Sequence, residues 1–265
     1  MQTTRPTAVA GLFYPANANE LGRMIQNDLA KVQSTVTVHR PKALIVPHAG
    51  YIYSGPIAAT AYAQLLPYSQ QINRVVLIGP SHRVGFHGLA VSSACYFDSP
   101  LGPVTVDQNT VKILLTITGV HQIDQPHSQE HSLEVQLPFL QQVLDDFSIV
   151  PIVAGNASPE LVATVLDTVW GGPETLIVIS SDLSHYHDYQ TAQEMDQITS
   201  KAIETCNPTI PSENACGCIG VNGLLNLANK KQLSATTLDL RNSGDTAGKK
   251  DSVVGYGAYL FEELK

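Results

Sequence analysis

The chain has 265 residues, 15 basic against 23 acidic, and a formal net charge of -8. That length is enough to bury a substantial core. The acidic balance, with no cluster of lysine and arginine beyond Lys230-Lys231 and Lys249-Lys250, argues against nucleic acid or an anionic membrane surface as a partner. No apolar run approaches the roughly 18 residues of a membrane span, and the opening residues lack a signal core.

In chain order, residues 19–32 place Leu21, Met24, Ile25 and Leu29 on one helical face. Residues 43–46 are a dense apolar run, the signature of a strand buried on both faces. It is followed by Pro47, His48, Ala49 and Gly50, and then by a helical stretch over 57–66. A second buried strand is expected at 75–78, leading into Gly79-Pro80-Ser81-His82. Residues 133–144 have helical spacing of leucines. A third strand is expected at 149–153, where Pro151 points to an edge or a bulge. Residues 160–170 read as a helix. A fourth strand at 176–179 leads into Ser180-Ser181-Asp182-Leu183-Ser184-His185. Helices are expected at 191–206 and 220–229, a polar loop at 243–251, and late strands at 236–240 and 253–261. This alternation predicts one α/β domain over 1–265, with a mostly parallel central sheet between helix layers.

Three buried strands thus each end on an ionisable group: His48, His82, and the pair Asp182 and His185. In an open parallel sheet the C-terminal edge is where ligands collect, so the three ends are expected to share one pocket. Imidazole is the commonest metal ligand and the proton carrier suited to neutral pH. Two imidazoles and a carboxylate with open positions suit non-haem Fe(II), and zinc fits nearly as well. Asp182 would orient an imidazole, serve as a base, or simply cap the next turn. His185 is favoured over His187 because it lies nearer the strand end.

The segment "HSQEHSLEVQLPFL" over 127–140 adds Glu130, His131 and Glu134. Carboxylates at a helix start, with Ser128 or Ser132 as cap, account for the glutamates. They account poorly for His131, which is assigned to the pocket as an oxygen-positioning or outer group. His127 is expected to be exposed, and His39, His87 and His121 to lie on the surface. Phosphate-loop, nucleophile-elbow and H-E-x-x-H motifs are absent. Ser81 beside His82 is a weak sign of a serine nucleophile. Cys216 could be a nucleophile or a soft ligand, although such a cysteine is more often simply buried. Four cysteines without C-x-x-C spacing read as reduced thiols and a cytoplasmic setting.

Several stretches resemble the Memo family, in its prokaryotic "AmmeMemoRadiSam system protein B" form. They are "RPTAVAGLFYPA" at 5–16, "PHAGYIYSGPIAATAY" at 47–62, "IGPSHR" at 78–83, "EHSLEVQLPFL" at 130–140, "SSDLSHY" at 180–186 and "NSGDTAGKKDSVVGYGA" at 242–258. The resemblance implies a fold like that of class III extradiol dioxygenases, whose iron is held by two histidines and a glutamate. By position it implies His48 and His82 as metal ligands, His185 and Asp182 as active-site residues, and Phe13 and Tyr53 as aromatic pocket residues. Eukaryotic members carry a cysteine ligand in the loop before the last strand. Here that loop reads Ser243-Gly244-Asp245-Thr246, so Asp245 is the expected third ligand. Without a thiolate, Cu(I) is disfavoured relative to Fe(II).

The expected activity is a metal-dependent, dioxygenase-like oxidoreductase acting on a small-molecule substrate. His185 would serve as acid or base, with Tyr53 orienting the substrate. The alternatives are a peptide- or small-anion-binding module in a vestigial pocket, and a metal-assisted hydrolase. The family form also implies a radical-SAM partner in a shared pathway.

Overall fold

The computed structural model describes residues 3–32 and 40–263, so His39 lies outside the described residues. The chain begins with β1 (Thr4–Arg5), α1 (Ala18–Ala30), β2 (Pro41–Val46), α2 (Tyr51–Tyr62), β3 (Arg74–Pro80), β4 (Leu89–Val91) and β5 (Tyr96–Phe97). It continues with β6 (Val104–Val106), α3 (Gln108–Leu114), β7 (Val120–Gln122), α4 (Gln125–Ser128), α5 (Leu137–Val143), β8 (Ser148–Ala154) and α6 (Pro159–Thr168). It ends with β9 (Thr175–Ser180), β10 (His185–His187), α7 (Tyr189–Glu204), α8 (Cys218–Lys231), β11 (Leu233–Asn242) and β12 (Val253–Glu263).

The strands form one mixed α/β sheet. Its main path runs β1-β5-β6-β8-β3-β9-β2-β12-β10, with β11 on β12, β4 on β8 and β7 on β4. At the centre, β8, β3, β9 and β2 are all parallel neighbours. Both faces of these strands are covered, which explains their unbroken Val, Ile and Leu content: residues 43–46, 75–78 and 176–179 are all fully buried. The flank is antiparallel, through β12 on β2 and β11 on β12.

Pro151 is not on an edge strand. It faces Leu77 of β3, while the other side of β8 changes partner, from β6 at Ser148 and Ile149 to β4 at Ile152 to Ala154. The break between those partners accommodates a residue with no N–H to give.

Helices α1, α2 and α5 pack on one another, as do α6 and α8, with α8 over β3 and β9. The approach of α8 is close. A Cβ on Gly220 would stand 3.1 Å from Ile179 Cγ2 and 3.3 Å from Ile78 Cγ2.

Two helices differ from the sequence expectation. Helix α2 starts at Tyr51 rather than Ile57, and carries Pro56 inside it. The expected helix over 133–144 is a 3₁₀ turn (Glu134–Gln136) running into α5, with Pro138 in its first turn. A proline there gives up an N–H that has no partner within the helix. Neither Ser128 nor Ser132 caps a helix: the serine hydroxyls donate instead to Gln125 O and Pro80 O.

Candidate metal centre

Strands β3, β9 and β2 are adjacent, so their C-terminal ends lie side by side at the spacing of neighbouring strands. Residues 48, 82, 182 and 185 follow these ends directly. The expected convergence occurs, and all four border one cavity of about 940 Å³, together with Phe13, Tyr53 and His131.

Three rings come closest together. One ligand atom each from His48, His82 and His131 lie within 4.8 Å of one another. His48 meets the other two edge-on, and His82 stacks on His131 at 4.6 Å between centroids. His48 is buried, His131 partly so, and His82 forms the open side.

Each ring has its Nδ1 against an oxygen. His48 Nδ1 is 2.8 Å from Ser180 Oγ. That hydroxyl donates its proton to Ser132 O and already accepts from Gln136 Nε2, so the imidazole must be the donor. Glu130 serves the other two: Oε1 is 2.9 Å from His82 Nδ1 and 3.2 Å from His131 Nδ1. The same carboxylate accepts the backbone N–H groups of His82, His131 and Ser132. His48 and His82 thereby carry their proton on Nδ1 and keep Nε2 as the lone-pair nitrogen, and one ring nitrogen of each of the three histidines lies toward the other two. Nδ1 bound to a carboxylate or hydroxyl behind an inward Nε2 is the arrangement of metal-ligating histidines.

The electrostatics fit. Burial alone would raise Glu130, but the His82 ring and the backbone donors bring it down to about 2, so it is a carboxylate at any working pH. Burial holds His48 well below the ordinary range, helped by His82, His131 and His185. Burial lowers His131 to about 4 against the pull of Glu130. Histidines kept neutral are ready to ligate. Asp182 accepts the His48 N–H at 2.7 Å, and burial raises it to about 7 despite hydrogen bonds from His48 and Ala49. Burial likewise lowers His185.

His131 reaches the centre by a route the strand pattern does not reveal. Its segment is stitched across the strand ends: Ser132 Oγ donates to Pro80 O, and Ser180 Oγ donates to Ser132 O. Gly79 leaves the room, since a Cβ there would be 2.6 Å from Ser132 Oγ. Below it, Glu134 is fully buried and ion-paired with Arg5, and it accepts from Ala8 N, Val9 N and Tyr14 Oη. Arg5 also donates to the carbonyls of His127 and Glu130. The N-terminal segment therefore clamps the histidine loop, and Phe13 packs on His131 at 4.7 Å.

Four expectations are corrected. Asp245 lies outside the ligand group and does not border the cavity. Its Oδ2 accepts the Asn242 N–H in a capping box, and its Oδ1 accepts from Tyr189 Oη. A carboxylate used twice in this way holds a turn. His131 stands with His48 and His82 in the group that could hold a metal ion, where an outer position was expected. His127 is buried, with Nε2 on Ala90 O, not exposed. Glu130 and Glu134 do not serve a helix dipole; each binds named partners in the interior.

Ser81 Oγ donates to Val84 O and is no nucleophile aimed at the cavity. Cys216 does border the cavity, with Sγ 3.2 Å from His48 Nε2, but burial and Asp182 raise its thiol. Glu130 as the shared orienting carboxylate was missed. The signal was the tripeptide Glu130-His131-Ser132 itself, which makes sense only once His82 stands opposite.

Among the described residues no helix is long and apolar enough to cross a membrane. A chain from Thermotoga petrophila described as a MEMO1 family protein is 36% identical over 280 residues, covering 97% of this chain and 99% of that one. Chains with the same description from Ignicoccus hospitalis and Aquifex aeolicus are also 36% identical, each over 97% of this chain and 98% of their own length. A crystal structure of an uncharacterized Escherichia coli K12 protein matches 81% of this chain and 98% of its own, at a TM-score of 0.49 and 11% identity. The family described as "Memo-like protein" matches residues 5–260, and the chain belongs to that family.

Proposed function

We propose that this chain is a metal-dependent oxidoreductase whose ion, Fe(II) by preference, is held by His48, His82 and His131. The observation that carries the reading is the group of three rings, each offering one nitrogen within 4.8 Å of the others, with Ser180 and Glu130 against their Nδ1 atoms. Three imidazoles are borderline donors suited to iron, zinc and copper alike, so the donor set alone does not choose among them. The family's resemblance to class III extradiol dioxygenases favours iron. When bound, the ion would supply Lewis acidity and an open position for substrate.

The other residues divide the remaining work. His185 borders the same cavity and is kept neutral by burial, so its imidazole can accept a proton from the substrate. Asp182, at about 7, can exist in either protonation state near neutrality and holds the His48 backbone in place. Tyr53 and Phe13 supply walls that exclude water and orient a ligand.

The test is anaerobic reconstitution with Fe(II), and separately with Zn(II), read as metal per chain. One ion per chain is expected in the wild type and in Asp245→Asn. Loss is expected in His48→Ala, His82→Ala and His131→Ala. Retention of tight binding by the triple alanine variant would overturn the reading. Oxygen uptake by the Fe(II) form with small-molecule substrates supports oxidation. Turnover with Zn(II) under anaerobic conditions would instead favour metal-assisted hydrolysis, a chemistry three-histidine zinc sites also perform.

A further inference from the structure

Cys216 faces more than the central cavity. It also borders a surface groove of about 550 Å³ beside the 81–87 loop, and a small enclosed void of about 20 Å³. Among the described residues it is the one shared by all three spaces. The void and the groove have Pro80, Ala154 and Ile219 in common as well. One thiol thus parts the void from the space that holds the histidines, and Ile219, partly exposed in the first turn of α8, lies on its outer side.

The void forms where the ends of β3, β8 and β9 meet the start of α8. Its walls are aliphatic or glycine, with Ile78, Ile179, Ile219 and Ala154 the main side chains. Among the described residues no charged side chain lines it, and the two polar ones are spent. Ser180 Oγ donates to Ser132 O and accepts from Gln136 Nε2 and His48 Nδ1. Cys216 Sγ accepts the Asp182 N–H at 3.3 Å and lies 3.2 Å from His48 Nε2, the lone-pair nitrogen, to which its proton is directed. A buried water needs about two to four polar partners, and no side chain here has one to spare. An apolar void of this kind stays dry and takes small apolar guests instead.

We propose that this void is a docking site for a small uncharged molecule, of the size and polarity of dioxygen or nitric oxide, and that Cys216 is the gate between it and the histidines. The void follows from its own walls. What lies beyond the gate rests on the metal-centre reading, under which a substrate filling the central cavity would close the front entrance and leave this rear one open. Cysteine suits a gate because a single side-chain torsion moves its sulfur between staggered positions. Its acceptor, His48 Nε2, is also the nitrogen an ion would take, so the thiol would then be held by the Asp182 N–H alone.

The first probe is xenon, applied to crystals of metal-free protein and read by anomalous scattering. Xenon is expected in the wild-type void and absent from Ile219→Phe, whose larger side chain fills the space. In Cys216→Ala the xenon density should extend toward His48. The second probe is nitric oxide, mixed anaerobically with the Fe(II)-loaded protein and read by stopped-flow absorbance. Ile219 does not border the central cavity, so its variants should keep the wild-type metal content. The association rate should at least halve in Ile219→Phe and rise in Ile219→Ala, which widens the neck and carries the comparison if the first variant does not fold. An empty wild-type void under xenon overturns the proposal. So does an unchanged xenon position in Cys216→Ala, or one rate of nitric oxide binding in all three proteins. Failure of the metal centre reads differently: no iron is taken up and no nitric oxide signal develops, while the xenon positions in wild type and Cys216→Ala still decide the site and its gate.

Discussion

Glu130 shows how much depends on one carboxylate. It is 2% exposed, and its oxygens meet two rings and three backbone N–H groups. Glu130→Gln keeps the shape but replaces one acceptor oxygen with a donor, which must oppose either the His82 backbone N–H at Oε2 or the ring and backbone donors gathered at Oε1. Metal affinity should fall by about 10- to 100-fold, as for other partners of metal-bound histidines, measured by competition with a chelator. A second residue-scale prediction concerns acid. Burial lowers His127 to about 4, against an ordinary value of 6.5. The unfolded chain therefore takes up a proton first as pH falls. The stabilisation from this histidine is full above pH 6.5, declines as pH drops, and is gone below about 4; it amounts to about 3 kcal/mol at most. His127→Gln keeps a donor for Ala90 O without the titration. Its Tm should fall less steeply between pH 6.5 and 4 than that of the metal-free wild type.

Among the elements, the N-terminal segment matters beyond its length. Strand β1 has two residues, yet Arg5 reaches the buried Glu134 and two carbonyls of the histidine loop. Glu134→Gln leaves Arg5 as a buried charge without its counter-ion. The expected loss is about 3–5 kcal/mol in denaturant unfolding, with weaker metal binding in the surviving folded fraction. Gly79→Ala acts at the end of β3. Its Cβ would come 2.6 Å from Ser132 Oγ, so the histidine loop must shift away from the strand ends. Metal affinity should drop more than Tm does, because the loop can move while the strand remains buried. Elements of this kind were only partly legible. The apolar runs marked β2, β3, β8 and β9 because full burial demands them. Short strands such as β4, β7 and β10 were not foreseen, since three residues carry no periodicity.

For the whole molecule, the central sheet sets the geometry and bound metal should set the stability. A ligand that binds only the folded chain stabilises it by about 2.7 kcal/mol at 100-fold excess over Kd. Tm should therefore rise with Fe(II) or Zn(II) in the wild type and in Asp245→Asn, and stay flat in His131→Ala. By itself the sequence determined that three buried strands end in His48, His82 and the Asp182–His185 pair, because burial on both faces and a polar residue at the strand end are local patterns. It also determined the family, through motifs spread along almost the whole chain. Only the tertiary structure decided the third imidazole. His131 lies far from every strand in sequence, and it joins the centre because β3 and β9 are neighbours whose ends bind Ser132. Asp245 shows the reverse: an acid in the right loop by counting along the chain, drawn instead into a turn with Asn242 and Tyr189. Ligand sets are defined by distances in space, and spacing along a chain reports those distances only within a single helix or strand.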